Sequence, residues 1–463
     1  MTWLSFITKS SGYLIILPLI LLKLNPEEIA IWYLFVTIIS LQYLADLGFS
    51  QTFSRIISYA VEGSSIDEIS DKRVIKKPIL NELNLDTLIK VWGTMNVIYN
   101  WLAFIAFFLL ITFGTLTLIE PISKSNNESS AWLSWSIILL SSLFLLRGNK
   151  YSSYILGSNK VALLRRWEAI FSIISVFSNV IVIFFDGGLL GLVLINQFWS
   201  IINIFRNKWI SQNINDGFLK KYSRSKFDKQ VFNSIWPSVW RSGLGILFAQ
   251  GPTQLSGLIY AQIGSPTSVA QFLIALRILR LVSSFSQAPF YSKIPLLNGL
   301  RAKGMEIEQI KVAKKGMRLS YVSFVFGWLI VGIFSKILFD LLNSSLSFID
   351  VNIWILLGFG ALLERYGAMH LHIYSTTNHI IWHIANGITS ILFFSFAFLL
   401  IKNFGLAAFP IAMIFSNIFF YCWYTARKSY KLIRSSFITF ELSTSLIPFI
   451  IFLVSSCLLS ILN

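Results

Sequence analysis

Between Arg206 and Lys229 the chain reads RNKWISQNINDGFLKKYSRSKFDK, with seven Lys and Arg against two Asp. This is the longest polar interruption in a sequence that is otherwise a succession of apolar blocks. Before it, blocks fall at about 10–23, 29–58, 90–119, 131–147, 166–185 and 189–205; after it, at about 235–263, 267–292, 317–342, 351–372, 380–402, 405–424 and 441–462. Blocks of this length are what a helix needs to cross a ~30 Å hydrocarbon core. The interruption therefore parts two halves of six spans. The expected domains are an N-lobe over 1–205, a basic linker over 206–234, a C-lobe over 235–426, and a tail over 427–463 made of a basic loop and one extra apolar helix. Pro448 inside that last segment is compatible with a bent or interfacial helix.

Composition agrees with a polytopic membrane protein. Of 463 residues 55% are hydrophobic and 13% charged, with 41 Phe and a mean hydropathy of +0.69. Soluble domains carry about 25% charged residues. A net charge of +17 invites a nucleic-acid reading, but the charges are not spread at random. Lys72-Arg73 with Lys76-Lys77, Arg147 to Arg166, the 206–229 stretch, Arg301 to Arg318, and Arg427 to Arg434 alternate with short neutral or acidic loops at 25–28, 120–128, 186–188, 264–266, 343–350 and Asn403. That alternation is the positive-inside pattern, placing the N-terminus and the basic loops in the cytoplasm and implying no nucleic-acid partner. Cys422 and Cys457 lie in or beside apolar segments, so no disulfide framework is expected. Leu24-Asn25-Pro26 follows the first apolar block, where a cleaved signal would have small residues.

The halves echo each other. Phe49-Ser50-Gln51 near the end of the second span recurs as Phe285-Ser286-Gln287 near the end of the eighth, and the Gly188 stretch GLLGL resembles GLAAF from Gly405. Such internal repeats are a common way to build a transporter around a central site.

Ionisable residues inside spans are costly and usually face a cavity or a partner. Arg277 and Arg280 lie about 17 and 21 Å from Pro266 along the eighth span, near mid-membrane. With Ser284, Gln287 and Tyr291 they fall within roughly 80° of helical arc, a polar stripe that reads as a cationic cavity wall. Arg241 sits near the inner end of the seventh span beside Trp240, suiting either the cavity or an interfacial anchor. Lys9 is nearer the surface. In the stretch DLGFSQTFSRIISYA (46–60), Asp46 and Arg55 are half a turn out of phase and ~13 Å apart on one helix, so they do not pair. Gln51, Arg55 and Ser58 share a face and read as the inner mouth of a cavity. Asp46 and Glu364 are candidate H⁺ or Na⁺ coupling sites, or counter-ions to the arginines.

The four histidines, His370, His372, His379 and His383, border what is expected to be a cytoplasmic loop. His379 and His383 have the spacing of a zinc pair, but Ile380 stands where a hydrolytic site needs Glu. No metal, no catalytic residue and no bound cofactor are expected. Nor does a nucleotide-binding loop or nucleophile elbow stand out.

The stretch LADLGFSQTFSRIISYAVEG (44–63), with the helix before it, resembles the N-terminal region of Wzx-type O-antigen flippases, of the polysaccharide-transport branch of the MOP exporter superfamily. Length, span number and the basic central loop agree over about 420 residues. The resemblance implies an all-α polytopic fold of two six-helix bundles related by a pseudo-two-fold repeat (MATE-like), with 12–14 transmembrane helices and a cationic cavity. It implies transfer of an undecaprenyl-pyrophosphate-linked oligosaccharide from inner to outer leaflet by alternating access. The implied location is the bacterial inner membrane, among membrane lipids and polysaccharide assembly proteins such as a polymerase and a chain-length regulator. Arginine suits the substrate because its fork makes bidentate bonds to phosphate. The alternatives are a multidrug exporter of the same superfamily, which would favour acids for cationic drugs, and a polytopic O-antigen polymerase or ligase, which would carry a large outer loop absent here.

Overall fold

A computed structural model describes residues 15–44, 46, 48–61, 63, 84–222, 225–377, 381–433 and 436–462, and every regular element among them is helical. Lys9, the cluster at 72–77, His379 and Arg434 lie outside the described residues. The chain divides into two compact units, Met1–Leu247 and Phe248–Asn463. In the first, helical residues 15–23 precede α1 (Pro26–Leu44) and α2 (Phe49–Val61). Then come α3 (Leu85–Ser123), α4 (Glu128–Gly157), α5 (Val161–Phe184) and α6 (Gly188–Asn213). Helix α7 (Lys229–Tyr260) leads into the second unit, with α8 (Pro266–Tyr291), α9 (Glu306–Leu341), α10 (Val351–Ser375) and α11 (Trp382–Phe404). Helix α12 runs from Ala408–Ser416 through a π-helical turn, Asn417–Tyr421, into Cys422–Ile433, and α13 is Leu446–Leu462. Among the described residues seven helical stretches are individually long and apolar enough to cross a membrane, the last being Trp382–Ile433. That stretch is a hairpin: Gly405, at φ +51°, takes the left-handed turn and α12 packs back on α11.

Helix starts follow from side-chain caps. Asn84, Asn127, Ser265 and Asp350 each accept from an amide of the first turn that follows, meeting donors that a helix leaves unsatisfied.

The block expected as one helix over 29–58 is broken between Leu44 and Phe49. Gly48 has φ +76°, and a Cβ there would lie 3.2 Å from the Ser242 Cβ on α7. The left-handed backbone favours glycine, and the close approach leaves a Cβ little room. Asp46 caps the new helix, accepting from the Ser50 amide at 2.9 Å and the Ser50 hydroxyl at 3.3 Å. Asp46 and Arg55 thus stand on either side of a break, not along one regular helix. The FSQ echo is also unequal locally: the first copy begins a helix, while the second lies inside continuous α8.

The polar interruption is itself partly structured. Helix α6 continues to Asn213, and the short helix Phe218–Lys221 inserts Phe218 and Leu219 into the first unit's core. Phe218 stacks on Tyr154 with centroids 6.2 Å apart, among Phe53, Val91, Trp92 and Tyr99.

Within each unit, contacts join loops of like kind. Lys23 pairs with Asp186 at 2.8 Å, linking two neutral-to-acidic loops. Gln271 donates to Ser347 at 2.9 Å, linking two more. On the basic side Asn215 donates to Tyr154 and Ser158, and Lys314 to the Thr439 carbonyl. Loops that alternate in charge along the sequence therefore gather with their own kind, as helices that cross a membrane in turn require.

Candidate functional site

Polar side chains spaced along apolar helices have to be collected somewhere out of lipid. In the second unit a cavity of about 560 Å³ collects them, walled by the Phe248–Ser256 part of α7 and by α8, α10, α11 and α12. Helix α8 contributes Arg280, Ser284, Gln287 and Tyr291, at spacings that share one helical face. Arg277, three residues earlier, is half-buried and outside this wall. The stripe read from the sequence thus enters the cavity from Arg280 onward.

Arg280 is the cavity's cation. With the Gln254 amide turned so that its oxygen faces the guanidinium, that oxygen accepts from Nη1 at 2.7 Å and from Nη2 at 3.3 Å. This orientation follows from the hydrogen bonds, because O and N of an amide are not otherwise told apart. Glu364 enters from α10 between buried neighbours and is itself exposed, lining the cavity. Arg280 and Arg365 are both within electrostatic reach of it.

Arg365, next along α10, turns away from the cavity. It is 5% exposed, donates from Nη2 to the Ser283 carbonyl at 2.7 Å, and lies 5.4 Å over the Phe324 ring. It ties α10 to α8 behind Arg280 and Glu364. Arg365 is not among the residues that the sequence singles out, although an arginine beside a mid-span acid is a signal in itself.

One end of the cavity is aromatic. The His372 ring lies 4.5 Å from Tyr291 and 4.7 Å from Trp382, edge-on to both, and Trp382 donates to Ser375 at 2.9 Å. Asn386 and Asn417 add amides from α11 and α12. The π-helical turn at Asn417–Tyr421 brings both its end residues to the wall, a placement typical of functional helices. These amides, too, were legible as polar residues inside apolar runs. The histidines are not loop-border residues as a group: His372 faces the cavity and His370 is fully buried, its Nε2 3.1 Å from Glu441. Among the described residues no cluster of three or more His, Cys, Asp or Glu could hold a metal.

The remaining residues singled out from the sequence lie in the first unit. Asp46 is a helix cap in a buried network, where Ser50 also meets Tyr99 at 3.0 Å and Ser153 at 2.9 Å. Gln51 and Arg55 are exposed on α2. Arg241 is exposed on α7 with its guanidinium 5.5 Å over the Trp240 ring, the arrangement of an interfacial anchor. The structure therefore brings Arg280, Gln287 and Glu364 to one cavity. Arg277, Arg241, Arg55 and Asp46 do not line it.

Long apolar helices in two units, like loops gathered together and a polar cavity among the spans define a polytopic all-α membrane protein of the two-bundle transporter fold. Among solved structures it is similar to an inward-facing multidrug resistance MATE family transporter of the MOP superfamily (TM-score 0.66, 12% identity, covering 94% of this chain and 100% of that one). It is also similar to the lipid II flippase MurJ in an inward closed conformation (TM-score 0.57, 13% identity, 99% and 97%). A third likeness is to the MATE multidrug transporter DinF-BH (TM-score 0.61, 15% identity, 93% and 94%). At these identities the likeness is one of fold. No protein-family model and no curated protein sequence matches the chain.

Proposed function

We propose that this protein is a flippase for undecaprenyl-pyrophosphate-linked oligosaccharides of the O-antigen or related surface-polysaccharide type, moving them from the inner to the outer leaflet by alternating access. The observation that carries the reading is Arg280, a guanidinium that faces a polar cavity from the middle of a membrane helix. In a low-dielectric cavity a fork-shaped cation favours a multiply charged, bidentate anion such as pyrophosphate. The neighbouring Gln287, Asn386 and Asn417 can hydrogen-bond sugar hydroxyls, and Tyr291 and Trp382 offer ring faces to sugar rings. Glu364 acts as the counter-ion of Arg280 when no substrate is bound, and a H⁺ or Na⁺ gradient supplies the driving force. The protein works as a transporter, not as a polymerase or ligase. It sits in the bacterial inner membrane with its N-terminus in the cytoplasm and hands its substrate to polymerase and chain-length regulator. The folds of the MATE transporters and of MurJ support a transporter or flippase of this superfamily.

A second reading has its own support. An acid with an aromatic group, Glu364 with Tyr291, His372 and Trp382, also suits an organic cation, so the cavity fits a multidrug exporter as well. Deleting the gene separates the two. The flippase reading expects undecaprenyl-pyrophosphate-linked units to accumulate in the inner leaflet, with loss of surface polymer and unchanged sensitivity to cationic drugs. Normal surface polymer, with drug sensitivity increased, would select the exporter.

A further inference from the structure

A second and larger concavity lies on the other side of α10. It has a volume of about 1000 Å³, and its surface is almost entirely apolar. Its floor includes Leu363 and Tyr366 of α10. One wall is a face of α12, where Ile418, Cys422 and Ala426 repeat at helical spacing. The other is the C-terminal segment, through Ile438, Leu442, Leu446 and Phe449.

The groove is polar at one end only. Arg427 and Lys431 form its rim on the last turns of α12, both exposed, and among the described residues neither makes an ion pair. Glu441 also borders the groove, but its carboxylate is already occupied. It accepts from Tyr430 at 2.6 Å, meets His370 at 3.1 Å, and takes a short hydrogen bond from Ser445. Among the described residues the rim therefore presents two cations without an ion-pair partner above an apolar trough. From Ile418 to Lys431 the helix rises about 20 Å, a little more than the ~15 Å of one leaflet's hydrocarbon. One end is thus at headgroup level on the side of the basic loops, and the other is near mid-membrane. A single-leaflet acyl chain fills that length, whereas a much longer isoprenoid chain would overrun it.

From this we infer that the groove between α12 and the C-terminal segment is a binding site for an anionic glycerophospholipid of the surrounding bilayer. Its phosphate lies between Arg427 and Lys431 and one acyl chain runs along Cys422, Ala426 and Leu442. Basic pockets between membrane helices on the cytoplasmic side recognise anionic headgroups in this way. The bound lipid mortars the C-terminal helix to α12. This site is separate from the Arg280 cavity and does not depend on the function proposed for that cavity.

The test is native mass spectrometry of the full chain released from phosphatidylethanolamine vesicles containing phosphatidylglycerol. The expected result is retention of phosphatidylglycerol in preference to phosphatidylethanolamine. Arg427→Ala with Lys431→Ala should lower that retention roughly 25-fold, at about a factor of five per cation. The exchanged pair Arg427→Lys with Lys431→Arg should retain it, and Leu442→Trp, which obstructs the trough while leaving both cations, should lose it. Equal retention of the two phospholipids would overturn the assignment, as would retention unchanged in the double alanine variant. Displacement of phosphatidylglycerol by an equimolar polyisoprenyl phosphate would overturn it too, giving the groove to a carrier lipid.

Discussion

Arg280 and Glu364 enter one cavity from different helices, α8 and α10, and Arg365 locks those helices together from behind through the Ser283 carbonyl. A cation and an acid that share a polar cavity need not be paired permanently. Each keeps the other tolerable in a low-dielectric setting, and either can be displaced by a ligand of opposite charge. On the function proposed above, the cavity would have an anion-accepting state and a self-neutralised state, as a carrier needs in order to load and reset.

If Arg280 binds the pyrophosphate, Arg280→Ala should lower transport of the lipid-linked oligosaccharide by about 10- to 100-fold, the worth of a charge-assisted hydrogen bond. Arg280→Lys should recover part of the loss, because it restores the charge but not the fork. Arg277→Ala should have the smaller effect, since Arg277 is outside the cavity wall. Transport of labelled lipid-linked oligosaccharide in proteoliposomes measures all three. Full transport by both alanine variants and by their double would remove the cationic-cavity mechanism.

Glu364→Gln should separate binding from turnover. With the competing carboxylate gone, the anionic headgroup should bind up to about tenfold more tightly, as removal of a close counter-ion allows. Release should slow correspondingly, so turnover falls. Equilibrium binding and transport rates measured on the same preparation check this. An unchanged affinity with abolished ion-driven transport would make Glu364 a coupling site instead of a counter-ion.

The spans were legible because bilayer thickness fixes the length of an apolar run, whatever its neighbours are. The stripe on α8 was legible for a related reason, since helical phase alone collects Arg280, Ser284, Gln287 and Tyr291. Phase does not say where the cavity edge falls, so Arg277 was grouped with residues that it does not join. The break at Gly48 was illegible because its close partner, Ser242, is on α7 and remote in sequence. The contacts of Arg365 and the burial of His370 were illegible for a third reason. Their partners, the Ser283 carbonyl and Glu441, come from other helices, and nothing local distinguishes a buried ring from one beside a loop.

At the break, two substitutions should behave differently. Gly48→Ala places a Cβ in left-handed backbone against Ser242 and should cost about 1–2 kcal/mol. Asp46→Ala removes a helix cap, worth about 1 kcal/mol, whereas Asp46→Asn keeps an acceptor for the Ser50 amide. Thermal unfolding in detergent should therefore rank Asn above both alanine variants, and Asp46→Asn should keep its transport activity. Loss of transport by a normally stable Asp46→Asn would mean that the charge of Asp46 couples an ion.

Glu441 joins three elements: the C-terminal segment that carries it, α10 through His370, and α12 through Tyr430, whose hydroxyl also lies 2.8 Å from that of Tyr366. His370 is fully buried, so no water replaces the carboxylate when it is removed. Removing the carboxylate leaves the buried imidazole without its hydrogen-bond partner, which costs about 1–3 kcal/mol. Glu441→Ala should accordingly release the C-terminal segment, seen as new protease cleavage near residues 436–445 and a lowered unfolding temperature. The double change Glu441→Leu with His370→Phe removes the His370–Glu441 contact, leaves Tyr430 its bond to Tyr366 and deprives Ser445 of its acceptor, so it should restore part of the stability, because apolar replacements of similar size are tolerated where half a pair is not. Rescue by the double variant distinguishes a buried pair from a merely crowded site, where the second change would add to the damage of the first.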